Sequence, residues 1–203
     1  MDSFRYSLSG EFSFRRDVLT DLRIPSDWGL EIGVLSEMHR NFASNRICQV
    51  DIANNYDHKH QDLSLDSTDG GLSKMSIDIT KAIFRKLATQ GYIINAENMR
   101  TIKATYFRIA LDYIETYRND AMINGLTLDI HTEEKSVEMF AKNIIEAGDN
   151  FLANPMETPF IPSWNRVISA MPEVLTELKQ AVELDYEEFA NTVKSDSINT
   201  TAA

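Results

Sequence analysis

Cysteine is almost missing from this chain, proline is scarce, and no apolar run is long. The single cysteine, Cys48, rules out an intramolecular disulfide framework and fits a reducing cytoplasm. Set in the apolar run Ile47-Cys48-Gln49-Val50, it reads as a buried structural thiol. No stretch reaches the apolar length of a membrane-crossing helix, and Met1-Asp2-Ser3-Phe4-Arg5-Tyr6 shows no signal-peptide pattern. A soluble, cytoplasmic protein is the expectation. Positive charge is also short: 20 Lys and Arg face 31 Asp and Glu, a net charge of −11. That field repels phosphate backbones and anionic lipid, so nucleic-acid and membrane partners are not expected. A small phosphorylated ligand needs only a local cluster of donors and stays open.

What is present is globular composition, 43% hydrophobic and 25% charged over 203 residues. This is enough for one domain, or for one compact domain with an added helical lobe. Residues 1–66 change character quickly. Ser9-Gly10-Glu11 reads as a turn, and Ser13 is placed to cap a short helix through Leu22 that Pro25 stops. Asp27 is placed to cap a second helix with Leu30, Val34, Leu35 and Met38 on its apolar face. Arg46 to Ile52, rich in β-branched residues, predicts a buried strand. Such a strand expects a larger sheet around it, and the chain offers few other strands.

Gly70-Gly71 closes a polar stretch and suggests a hinge. Beyond it the period is helical. Ile77, Ile79, Ile83, Phe84 and Leu87 predict a helix ending near Gly91, and Met99 through Tyr117 predict a longer one. The clearest stripe is Val137, Phe140, Ala141, Ile144, Ile145, Gly148, Phe151 and Leu152, with Thr132 as its cap. Pro155, Pro159 and Pro162 predict an extended crossing. A last helix, Pro172 to Val193, should turn Leu175, Leu178, Val182, Phe189 and Val193 inward, ahead of a frayed tail over 194–203.

Chemistry-bearing residues gather early, in Ser26-Asp27-Trp28-Gly29-Leu30-Glu31-Ile32-Gly33 and in Tyr56-Asp57-His58-Lys59-His60-Gln61. An acidic group, an aromatic ring, two close glycines and a histidine pair in loop-rich sequence suit a site. The plain alternative makes Trp28 and Leu30 core, Glu31 a carboxylate favoured by a helix N-terminus, and the histidines solvated. His39 and His131 read as surface or structural residues, and Arg15-Arg16 as a solvated helix face or as ion-pair partners of Asp17 or Asp21. Tyr106, Tyr113 and Tyr117 read as core or interface, and Glu183 to Glu188 as a solvated helix face.

Leu8-Ser9-Gly10-Glu11-Phe12, Trp28-Gly29-Leu30-Glu31-Ile32-Gly33, Gln49-Val50-Asp51-Ile52 and His58-Lys59-His60-Gln61, in this order, resemble the C-terminal half of glucosyl-3-phosphoglycerate synthases. Those are retaining glycosyltransferases of the GT-A fold that move glucose from a nucleotide sugar to 3-phosphoglycerate with a divalent metal. The resemblance covers residues 1–66 by motif and the remainder by general helical character. It implies an α/β fold, mostly helical here: 1–66 as the C-terminal portion of a GT-A (Rossmann-like) core, 67–193 as a helical lobe, and 194–203 as a flexible tail.

The resemblance also implies roles. The Leu8 carbonyl would lie by the anomeric carbon and leaving group, and Glu31 would hold sugar hydroxyls beside Trp28 and Gly29. His58 would bind Mg²⁺ or Mn²⁺, oriented by Asp57 or Gln61, and Lys59 and His60 would meet the acceptor phosphate. The donor would be UDP-glucose-like. The family's Asp-x-Asp motif and Gly-Arg loop do not occur before Leu8, so the expectation is about half an enzyme, completed by an N-terminal half. Two alternatives stand beside it: a non-catalytic helical interaction protein, with a homodimer through the helical stripes, and one chain of a split transferase.

Overall fold

The computed structural model describes residues 4, 7–8, 10–42, 44–53, 63, 69–156 and 161–200, with side chains undescribed at 44 and 193–200. The described residues are 69% helical, with no strand among them. Seven α-helices follow one another among the described residues: α1 (Arg16–Leu19), α2 (Leu30–Asn41), α3 (Gly71–Thr89), α4 (Ala96–Ile123), α5 (Ile130–Ala153), α6 (Trp164–Ala170) and α7 (Val174–Thr200). They fall into two compact units, residues 1–12 with 23–161, and residues 13–22 with 162–203.

In the first unit α5 packs against both α3 and α4, and α2 packs on α3. Ile77 and Phe84 of α3, Met99 of α4, and Ile144, Ala147 and Phe151 of α5 form the core. The Phe84 and Phe151 rings meet tilted, with centroids 6.2 Å apart. Gly148 lets α4 approach, because a Cβ there would overlap the Met99 side chain. With neighbours on two sides, α5 buries more than the single predicted stripe, adding Met139, Asn143 and Ala147.

Asn143 joins α5 to α3 by hydrogen bonds. Its Nδ2 donates to Ser76 Oγ at 2.6 Å and to Ser73 Oγ at 3.1 Å, and Ser73 Oγ lies 3.3 Å from Asn143 Oδ1. A buried amide held this way fixes register between helices, since slippage would strand its polar atoms. On α3, Asp78 is 1% exposed and paired with Lys74 and with Lys81, the latter at 3.3 Å. Burial without that partnership would be costly.

Several expectations need correction. Ser44–Arg46 forms a single 3₁₀ turn, and 47–53 carry no regular structure. The buried strand over Arg46 to Ile52 is therefore absent, and Val50 and Ile52 stand 71% and 63% exposed. Cys48 is exposed with them rather than buried. A strand needs partners for its backbone groups, and no described residues supply them. The described region is thus helical, without the Rossmann-like core the α/β reading called for.

Caps also differ from expectation. α1 starts at Arg16 with Arg15 before it and no side-chain cap, so Ser13 does not cap it. α5 is capped by Asp129 rather than Thr132. The Asp129 carboxylate accepts from the His131 and Thr132 amides at 3.1 and 3.3 Å and from the Thr132 hydroxyl at 2.7 Å. Led by that hydroxyl bond, these contacts hold its carboxyl below its usual pKa. Gly91, at φ +89°, follows the end of α3 near the expected place. On α4, burial raises the Tyr106 hydroxyl pKa, while Tyr113 and Tyr117 stack on each other, exposed, at 5.9 Å.

The extended crossing expected at Pro155, Pro159 and Pro162 lies partly outside the described residues, which omit 157–160. The second unit includes α6, which begins after Pro162. Asn165 ties it to the segment after α1, its amide donating to the Thr20 carbonyl and its side chain to Asp21. The Arg15–Asp17 ion pair is present, with contacts of 3.0 and 2.7 Å. The inward face expected of α7 is instead exposed at Leu175, Leu178, Val182 and Phe189. The acidic run from Glu183 to Glu188 is solvated, as expected.

Candidate functional site at the start of α2

The turn that delivers α2 is built from short-range contacts. Asp27 Oδ1 accepts from the Gly29 amide at 2.9 Å, and the Leu30 amide donates to the Asp27 carbonyl at 3.2 Å. Asp27 thus braces the turn ahead of the helix, and Gly29 takes the N-cap position expected of Asp27. Two glycines then permit close packing. A Cβ on Gly29 would stand 2.5 Å from the Ala82 Cβ on α3, and a Cβ on Gly33 would overlap the ring of Pro25. The run from Trp28 to Gly33 is held between Pro25 and α3.

On that fixed turn Trp28 is left 42% exposed, and Glu31 sits partly exposed in the first turn of α2. Glu31 is the acidic residue of that first turn, where a negative side chain complements the helix macrodipole. A carboxylate can accept two hydroxyl hydrogen bonds and a neighbouring ring can cover an apolar sugar face. The structure thus brings Trp28, Gly29 and Glu31 to one turn. Leu8 lies exposed in a separate turn, where Gly10 takes φ +82°, and no hydrogen bond between described residues joins Leu8 to α2. His58, Lys59 and His60, with Asp57 and Gln61, lie outside the described residues. Among the described residues no group of three or more His, Cys, Asp or Glu side chains is placed to hold a metal ion, so a metal site would need donors from elsewhere. No described helix is long and apolar enough to cross a membrane.

Sequence reasoning missed a cavity of about 260 Å³ behind this turn, walled by Pro25, α2 and α3. Arg23, Arg40, Arg85 and Lys86 line it, with Glu37. Glu37 binds two of these cations, Arg40 Nη2 at 2.6 Å and Lys86 Nζ at 3.3 Å. The available signal was helical spacing, which puts Glu37 and Arg40 on one face of α2 and Arg85, Lys86 and Thr89 on one face of α3.

No protein-family model and no solved structure matches the chain. Three curated proteins do, each named glucosyl-3-phosphoglycerate synthase. The one from Persephonella marina is 44% identical over 91% of this chain, and the one from Methanococcoides burtonii is 39% identical over 92%. That from Petrotoga mobilis is 34% identical over 44% of the chain and 26% of its own length. The chain spans about half the length of the first two, 46% in each case.

Proposed function

Because this chain belongs, over the part it spans, to the glucosyl-3-phosphoglycerate synthase family, we propose that it supplies the C-terminal part of a retaining glucosyltransferase site. The observation that carries this is the placement of Trp28, Gly29 and Glu31 on one braced turn, within a chain 44% identical to a synthase of that name. The donor is a UDP-glucose-like nucleotide sugar and the acceptor is 3-phosphoglycerate.

Each residue has a chemical task in this reading. Glu31 accepts hydrogen bonds from two glucose hydroxyls and Trp28 covers the apolar face of the ring, which fixes C1 toward the acceptor. Gly29 seats the turn against Ala82 of α3, which fixes where Trp28 and Glu31 stand. The Leu8 carbonyl accepts a hydrogen bond beside C1, where the acceptor oxygen bonds to carbon as the carbon–diphosphate bond breaks on the same face. The acceptor proton leaves with the nucleoside diphosphate, and configuration is retained. Lys59 and His60 meet the acceptor phosphate as donors. His58 would be one of the residues holding a divalent cation, which would neutralise charge on the diphosphate.

In the proposed domain division, residues 1–66 complete a GT-A core whose nucleotide-binding half lies N-terminal in the relatives, and 67–193 form a helical lobe. The half and this chain are read as parts of one soluble cytoplasmic enzyme. The test is an enzyme that includes this region, carrying Glu31→Gln or His58→Ala. Each should lower kcat/KM by about a hundredfold, as loss of a positioned polar contact does in other enzymes; unchanged transfer would refute the site assignment.

A second reading, helical self-association, draws on the exposed Ile109, Tyr113 and Tyr117 of α4. Contiguous apolar surface on a helix suits a partner. Sedimentation should then give a dimer that Tyr113→Glu converts to monomer.

A further inference from the structure

We propose that the cavity between Pro25, α2 and α3 is a binding site for a small phosphate-bearing anion, separate from the sugar site. Its wall sets four cations against one carboxylate in a chain whose net charge is −11, so the potential there opposes that of the molecule as a whole. Glu37 neutralises only part of it, and holds Arg40 and Lys86 ready at 2.6 and 3.3 Å.

Two cations have unused donors. Arg23 has no hydrogen-bond or ion-pair partner among the described residues. Arg85 is 6% exposed, its Nε donates to the Pro155 carbonyl at 3.4 Å, and its Nη1 finds no partner. A guanidinium buried with an unused donor is unfavourable unless an acceptor completes it, and its planar fork matches a phosphate. The volume of about 260 Å³ is below that of sites for drug-sized ligands, which points to inorganic phosphate or a small phosphomonoester.

Helical geometry separates this site from the proposed sugar site. Ile32, Gly33, Ser36, Glu37 and Arg40 share the cavity face of α2, and at about 100° per residue Glu31 falls on the opposite side. The inference stands on the cavity alone and does not depend on the transferase reading.

The test is calorimetric titration of the chain with sodium phosphate, then with glycerol 3-phosphate and with glycerol, at constant ionic strength and without nucleotide sugar. A saturable single-site isotherm for phosphate is expected, with none for glycerol. Tighter binding of glycerol 3-phosphate would identify a phosphomonoester as the ligand, and equal binding would identify phosphate itself. Arg23→Ala and Arg40→Ala should each weaken Kd about tenfold, the loss of one charge-assisted hydrogen bond, while Arg118→Ala on exposed α4 leaves it unchanged. No saturable phosphate isotherm, or an equal loss with Arg118→Ala, would overturn the proposal. Neither result touches the transferase reading.

Discussion

The α3–α5 block and the segment 44–53 have similar appetites for burial and opposite outcomes. In the block, Phe84, Met99 and Ala147 are all buried. In the segment, Val50 and Ile52 are exposed despite β-branched, apolar side chains. The difference lies in where backbone hydrogen bonds are made. A helix makes its own, so an apolar stripe needs only another helix to cover it. An extended segment must borrow partners from a neighbouring strand, and its side chains stay uncovered until one arrives. The segment that fails to bury itself is the one that carries a synthase-like motif, Gln49-Val50-Asp51-Ile52.

The largest effects should come from breaking the block. Phe84→Ala empties the ring contact with Phe151 and should cost about 3–5 kcal/mol, read by denaturant unfolding. Gly33→Val forces Pro25 away from α2 and should cost about 1–3 kcal/mol by the same measurement. By contrast, the double change Val50→Ser with Ile52→Ser should alter the stability of the chain alone by no more than about 0.5 kcal/mol, since both side chains already face water. Under the proposed completion by a preceding half, the same pair in a full-length synthase should cost far more; equal small effects in both would remove the contrast.

The smallest effect concerns acid. Asp129 has a lowered pKa when folded, so its cap supports α5 above the ordinary carboxylate value of 3.8 and loses that support as pH falls through the lower folded value. Asp129→Asn should remove this part of the acid dependence, followed by circular dichroism between pH 5 and 2, taken as roughly the carboxylate titration range.

Much of this was legible in the residues. The helices α3, α4 and α5 follow from apolar steps of three and four, because a self-bonded helix reveals its buried face in its own period. The turn at Asp27 to Gly33 was also visible as a cluster of unusual residue types. Three features were not. Asn143 sits inside an apolar stripe, and nothing local reveals that Ser73 and Ser76, some seventy residues earlier, meet it. The α7 stripe has the period of a buried face but nothing among the described residues covers it. The cationic cavity joins Arg23, Arg40 and Arg85 across three segments, so only the packing of α2 on α3 assembles it.

Under the proposed transferase reading, the turn at Trp28 to Glu31 holds the sugar of a donor whose nucleotide is bound by a preceding half. The most direct measurement mixes the chain with the N-terminal half of a bacterial synthase relative and follows glucose transfer from UDP-glucose to 3-phosphoglycerate. Transfer in the mixture, none from either part alone, and its loss with Glu31→Gln are expected. Co-purification without transfer, or transfer indifferent to Glu31→Gln, would contradict the reading.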